Sequence, residues 1–217
     1  MRFTEIELLT NKFSELKEFY SENLDLTIAG KTQNSFTVRI GTTGLKFRKN
    51  IGPVNPYYHF AINIPENQIN EAKKWLSGKA EILKDNGNEI IDFKNWNAHS
   101  VYFYDPAGNI VELIARHNLP NNSNSDFNSS SLLCISEIGM PVENVSSFYK
   151  IIEEKLNEKI WSGNRETFAA VGDEHGLFII VPNKRNWYPT DKESRIFPLT
   201  IKFKSGKEEI ITFSGLP

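Results

Sequence analysis

The stretch Phe103-Tyr104-Asp105-Pro106-Ala107-Gly108-Asn109-Ile110-Val111-Glu112-Leu113 reads as two strand ends around a tight turn. Pro106 and Gly108 stand where such a turn requires a preset φ and a residue without a Cβ. The arms, Ser100 to Tyr104 and Ile110 to Ala115, form a hairpin. Upstream, His59 to Ile64 reads as a strand, Gln68 to Leu76 as a helix ending at Gly78, and Ala80 to Lys84 as a further strand. The order is β-α-β-β-β.

The same order precedes it. Phe3 to Leu9 alternates, with Ile6 and Leu8 on one side and Glu5 and Glu7 on the other. Phe13, Leu16, Phe19, Tyr20 and Leu24 recur at helical spacing, with Ser14 placed to cap and Asn23 to Asp25 ending the helix. Thr27 to Ala29, Ser35 to Ile40 and Leu45 to Lys49 complete the unit, Gly41 and Gly44 marking its last hairpin. Shifting Glu5-Ile6 onto Glu137-Ile138 keeps register through Leu24 and Leu156 and superposes Phe36 on Phe168 and Gly44 on Gly176. Residues 133–183 are therefore a third unit. Phe197 to Phe213 supply only two strands, joined at Ser205-Gly206-Lys207, a truncated fourth.

One compositional break interrupts this pattern, NLPNNSNSDFNSSS from Asn118 to Ser131, which reads as a linker. The expected organisation is a complete two-unit domain over residues 1–117, a linker over 118–131 and a degenerate second domain over 132–217. The fold class is α+β.

Paired units of this kind, the Phe19-Tyr20 pair followed by Asn23-Leu24-Asp25-Leu26, and the DPxGNxxEL string from Asp105 to Leu113 resemble the vicinal oxygen chelate superfamily. That superfamily includes glyoxalase I, fosfomycin-resistance enzymes, extradiol dioxygenases and bleomycin-resistance proteins. The resemblance is good over residues 1–117 and weaker over 132–217. It implies paired βαβββ modules around a half-open β-barrel cleft, with metal ligands on the first strand of each module and the last strand of the second: Glu5, His59 and Glu112. Glyoxalase I adds a glutamate from the last strand of the first unit, where this chain has Lys46 and Arg48. Fosfomycin-type and extradiol enzymes use three ligands, typically two histidines and a carboxylate, and Glu5 stands where the first histidine would be.

One imidazole and two carboxylates form a hard, anionic set, favouring Mn²⁺, Fe²⁺ or Mg²⁺ over Zn²⁺ or Ni²⁺. Such a site leaves positions open for two substrate oxygens. Tyr102, ten residues before Glu112, stands where extradiol dioxygenases resembling this chain carry an active-site tyrosine. His99 and Tyr102 are the candidate proton carriers, and Lys46 or Arg48 the candidate holders of an anionic substrate group.

Each residue has a plainer reading. His59 could be a hydrogen-bonded core histidine, Glu5 could face water beside Glu7, and Lys46 or Arg48 could neutralise Glu112 in a closed cleft. A different class of function is also open: a metal-free binder of bleomycin-resistance type, enclosing an aromatic or cationic compound between Tyr57, Tyr58, Trp96, Tyr102 and Trp187. Glu137 repeats Glu5, but the C-terminal part carries no second DPxGNxxEL. The expectation is that it lacks a complete metal site and covers the N-terminal cleft through Asn186-Trp187-Tyr188-Pro189.

Composition bounds the partners. The 217 residues include 25 basic and 27 acidic side chains, a formal charge of −2, which argues against nucleic acid or an anionic membrane as the main partner. A small molecule is the default partner, with a monomer or homodimer as the assembly. No apolar run approaches a membrane span, and Met1 to Glu5 shows no secretory pattern, so the expected location is cytoplasmic. Cys134, the single cysteine, can form neither an internal disulfide nor a thiolate metal site, and its apolar neighbours suggest a buried inert thiol.

Overall fold

In the computed structural model the backbone is described for residues 1–205 and 207–214 and the side chains for residues 1–205, so Gly206 of the expected final turn lies outside the described residues. Unit one comprises β1 (Arg2–Thr10), α1 (Phe13–Glu18), β2 (Ile28–Lys31), β3 (Ser35–Ile40) and β4 (Thr43–Lys49). Unit two comprises β5 (His59–Ile64), α2 (Ile69–Leu76), β6 (Ile91–Phe93), β7 (Ala98–Tyr104) and β8 (Ile110–Arg116). Unit three contains β9 (Cys134–Val142), α3 (Val145–Leu156), β10 (Ile160–Asn164), β11 (Phe168–Asp173) and β12 (Gly176–Pro182), and β13 (Leu199–Ser205) and β14 (Lys207–Ser214) follow. No helix among the described residues is long and apolar enough to cross a membrane.

Within every complete unit the last strand lies parallel to the first, which leaves the first strand at the unit's edge. An open edge of N–H and C=O groups has to be covered. Units two and three cover one another, β5 pairing antiparallel with β9 to give the eight-stranded order β10-β11-β12-β9-β5-β8-β7-β6. β1 is covered by β13, giving the six-stranded order β14-β13-β1-β4-β3-β2. This corrects the expected two-unit cleft over residues 1–117. First-strand edges are chemically alike in their backbone groups; across this seam β13 brings the buried Phe203, Ile201 and Leu199 opposite Phe3, Ile6 and Leu8, and Lys202 opposite Glu5.

The segment read as a linker is docked along α2. Asn121 Oδ1 accepts from the Glu66 amide, Gln68 Nε2 donates to the Ser125 carbonyl, and Phe127 packs edge-on against Trp75 at 5.5 Å. Two smaller expectations also change. Ser14 lies inside α1, whose N-cap is Lys12, and the helix widens into a π-turn over Phe19–Asn23 that buries both Phe19 and Tyr20. Ala80 to Lys84 forms a single bridge, Ile82 to Phe103, and β6 takes the edge position.

The core lies between the sheets and under the helices. Phe178 of β12 packs against Phe3 of β1 at 5.7 Å and Phe203 of β13 at 5.4 Å, joining the two sheets through aromatic contacts. Gly41, at φ +51, turns β3 into β4 where a Cβ would lie 1.8 Å from the Leu133 carbonyl oxygen. Only glycine fits that approach.

Candidate metal centre

The Asp105–Asn109 turn sets the site's register. Asp105 Oδ1 accepts from the amides of Ala107 and Asn109, and Oδ2 accepts from Asn109 Nδ2 and the buried Tyr20 hydroxyl. Asn109 Oδ1 in turn accepts from the Tyr58 amide, tying the start of β5 to the start of β8. That contact aligns His59 with Ile110 and Ala61 with Glu112. On the other side of β5, Ala61 aligns with Glu137 of β9. Because aligned residues share a face, the small Ala61 separates two inward carboxylates, and His59, two residues along the same strand, completes the group.

The side chains of His59, Glu112 and Glu137 are buried and their ligand atoms lie within 4.8 Å of one another. His59 Nε2 is 3.8 Å from Glu112 Oε2 and 4.0 Å from Glu137 Oε2. His59 Nδ1 lies 3.1 Å from the Ile110 carbonyl. A carbonyl only accepts, so Nδ1 carries the proton and the Nε2 lone pair faces the carboxylates. Ser100, also on the cleft face of β7, donates to Glu112 Oε1 at 2.6 Å. Arg116 Nη2 donates to Glu137 Oε1, while Arg116 Nε donates to Asn63 at 3.1 Å.

Burial dominates the protonation of this group. It pulls His59 down to about 4. Burial, reinforced by the Glu137 carboxylate, pushes Glu112 up to about 8. Glu137 is also raised by burial, with Arg116 opposing. Two buried like charges with a single arginine beside them resist full ionisation, and a divalent cation is a partner that removes this cost. One imidazole nitrogen and two carboxylate oxygens suit a hard divalent ion, so the donor set fits.

The group forms the floor of a cleft with a cavity of about 280 Å³, walled by Phe93, Trp96, Phe168, Trp187 and Tyr188. Trp187 packs on the His59 ring at 5.1 Å and lies so close to Gly139 that a Cβ there would be 2.6 Å from its Cη2. Tyr102, aligned with Glu112, also faces the cavity, with its hydroxyl in hydrogen-bonding reach of that carboxylate. Burial and the two nearby carboxylates keep the phenol protonated by raising its pKa well above the ordinary value.

The remaining expected site residues are divided between the cleft and other parts of the fold. Glu5 sits in the other sheet with Lys202 Nζ 2.8 Å away, and Glu137, its counterpart in the third unit, stands in the cluster instead. Lys46 and Arg48 both pair with Glu7, at 2.7 and 2.6 Å, and so neutralise that carboxylate rather than Glu112. His99 is on the opposite face of β7 from Tyr102, its Nδ1 2.8 Å from His117 Nε2, because strand alternation sends odd positions away from the cleft. Tyr57 does not line the cavity; its hydroxyl donates to the Glu193 carbonyl and Lys192 lies over its ring at 3.9 Å. Trp96 and Trp187 do line it. Burial pushes the Cys134 thiol up to about 11, which leaves it unreactive at neutral pH.

Sequence reasoning missed Glu137, Ser100 and Arg116 as members of the site. The signals were present: Glu137 aligns with Glu5 in the repeat, and Ser100 and Arg116 follow the alternation that brings Tyr102 and Glu112 inward. The repeat also places Ile179 opposite Gly139 where Glu112 stands opposite Ala61, so the third unit contributes one carboxylate and an apolar wall.

By sequence the chain matches no family model and no curated protein. Its fold does match solved structures. A candidate dioxygenase from Bacillus subtilis superposes with a TM-score of 0.65 over 99% of this chain and 84% of that one, at 12% identity. Glyoxalase I from Zea mays gives a TM-score of 0.57 over 89% of this chain and 70% of its own, at 16% identity. The chain therefore shares the fold of these solved structures, with its cleft built between the second and third units.

Proposed function

We propose that the protein is a divalent-metal-dependent enzyme of the glyoxalase and dioxygenase kind, acting on a small oxygenated molecule that presents adjacent oxygens to a metal held by His59, Glu112 and Glu137. The observation that carries this reading is the convergence of three buried donor groups on the floor of an aromatic cleft, with the imidazole tautomer set by the Ile110 carbonyl. A bound ion of this class supplies Lewis acidity and two coordination positions for substrate oxygens. Ser100 and Arg116 orient the two carboxylates. Tyr102, neutral and directed at Glu112, is the candidate proton donor now that His99 is directed away. Trp187 and Tyr188 shield the cleft from water.

One observation favours a second reading, a metal-free binder: Arg116 already pairs with Glu137 inside the cluster. Elemental analysis decides between them. Protein grown with supplemented metals and purified without chelator is expected to carry near-stoichiometric Mn, Fe or a similar ion. The ion should disappear in His59→Ala, Glu112→Ala and Glu137→Gln and persist in Glu5→Gln. No ion in wild-type protein, with the variants folded as before, would sink the enzyme reading and leave the binder.

A further inference from the structure

Among the described residues, the cleft contains a cation without a counter-ion. Arg185, on the segment between β12 and β13, lines the cavity with its guanidinium 5.2 Å from the Phe168 ring centroid. Among the described residues it has no carboxylate partner, and partial burial alone lowers its pKa. The other cations of the same region are committed: Arg116 to Glu137 and Lys192 Nζ to the Gly108 carbonyl. Lys46 and Arg48 are held by Glu7 in the other sheet. An arginine stacked on a ring keeps its donor edge free, and that planar edge matches a carboxylate in a two-bond arrangement.

The cleft's charge points the same way. Arg116 offsets one floor carboxylate, so a divalent ion together with Arg185 makes the cavity cationic. Its walls are flat aromatic surfaces, which favour a flat ligand body.

We propose that the substrate is a flat, conjugated or aromatic carboxylate whose anionic end pairs with Arg185 and whose other end presents adjacent oxygens to His59, Glu112 and Glu137. The chelating end rests on the metal-site reading above; the carboxylate end rests on Arg185 alone.

The test uses the full chain, both chelator-treated and Mn²⁺-loaded, with 3,4-dihydroxybenzoate and catechol as probes in calorimetric titrations. The carboxylate probe is expected to bind about tenfold tighter than catechol in both preparations, the scale of one charge-assisted pair. Arg185→Gln should remove that preference and leave catechol unchanged, while Arg185→Lys should retain part of it. Equal binding of the two probes, equal weakening of both by Arg185→Gln, or no binding of either overturns the proposal. The metal reading fails separately: if Mn²⁺ tightens neither probe but the Arg185-dependent preference remains, the anion site stands without the chelating ion.

Discussion

Arg116 reaches from β8 across β5 to donate to Glu137 on β9, and both side chains are almost wholly buried. The pair ties the second and third units together at the candidate metal group. It also explains how two carboxylates can share one cavity before any cation arrives. Replacing Arg116 by Met should leave a buried charge uncompensated and destabilise the metal-free protein by about 3–5 kcal/mol. Thermal unfolding with and without Mn²⁺ measures this. A divalent ion should restore part of the loss, and an Arg116→Met protein as stable as wild type without metal would contradict the assignment.

Glu112 gives the metal-free protein a pH signature. Its carboxyl is pushed from an ordinary 4.5 up to about 8, so the folded state keeps a proton that the unfolded chain has released. That contribution is complete below 4.5 and is lost as pH rises towards 8. His59, pulled from 6.5 to about 4, acts in the opposite sense, but only below 6.5. Above 6.5 Glu112 acts without that opposition, and the melting temperature in chelator should fall between pH 6.5 and 8. Glu112→Gln should flatten the slope, and saturating metal should reverse it, because binding displaces the proton. A flat wild-type profile in chelator would refute this account.

Gly139 is required by the indole above it. An added Cβ would lie 2.6 Å from Trp187 Cη2 and 3.2 Å from the His59 carbonyl oxygen. Gly139→Ala is therefore expected to displace Trp187, shift its fluorescence towards the solvent-exposed range and cost about 1–3 kcal/mol of stability. A second change, Trp187→Leu, should relieve the clash. Unchanged fluorescence in the single variant would show that the ring is held less closely than this geometry requires.

The exchanged pairing of units makes a clear statement about truncation. A chain of residues 1–117 retains His59 and Glu112 but loses Glu137, Arg185 and Trp187, and it exposes the edges of both β1 and β5. Size-exclusion chromatography should find it aggregated or associated, and elemental analysis should find no retained ion. A monomeric, metal-binding fragment would mean that the first two units can form a cleft on their own.

What was legible in the sequence follows the range of each signal. Turn chemistry at Asp105-Pro106-Ala107-Gly108-Asn109 and the alternation of Ile6 and Leu8 are local, and they gave the hairpin and strand assignments directly. The repeat that superposes Glu5 on Glu137 was legible too, but its meaning was not. Which first strand meets which depends on cross-strand partners separated by most of the chain, such as Ile6 with Ile201 and Leu8 with Leu199. His59 and Glu112 belong to one unit and lie together in the cluster, whereas its third member, Glu137, depended on that long-range choice. Arg185 carried no local pattern at all, since an arginine in an irregular segment is ordinarily a solvated residue.

The six-stranded sheet is interrupted in sequence by the eight-stranded one: β1 to β4 come first, the whole of β5 to β12 follows, and β13 and β14 return to β1. During synthesis, the sheet bearing His59, Glu112 and Glu137 can close once Pro182 has left the ribosome, while β1 waits for Leu199 and the residues beyond it. The Thr4 hydroxyl, which ends up donating to the Lys202 carbonyl, spans nearly the full length of the chain to do so. The nascent protein would therefore hold the eight-stranded sheet assembled while β1 is still an open edge, a temporary template for pairing with a neighbouring chain on the same message.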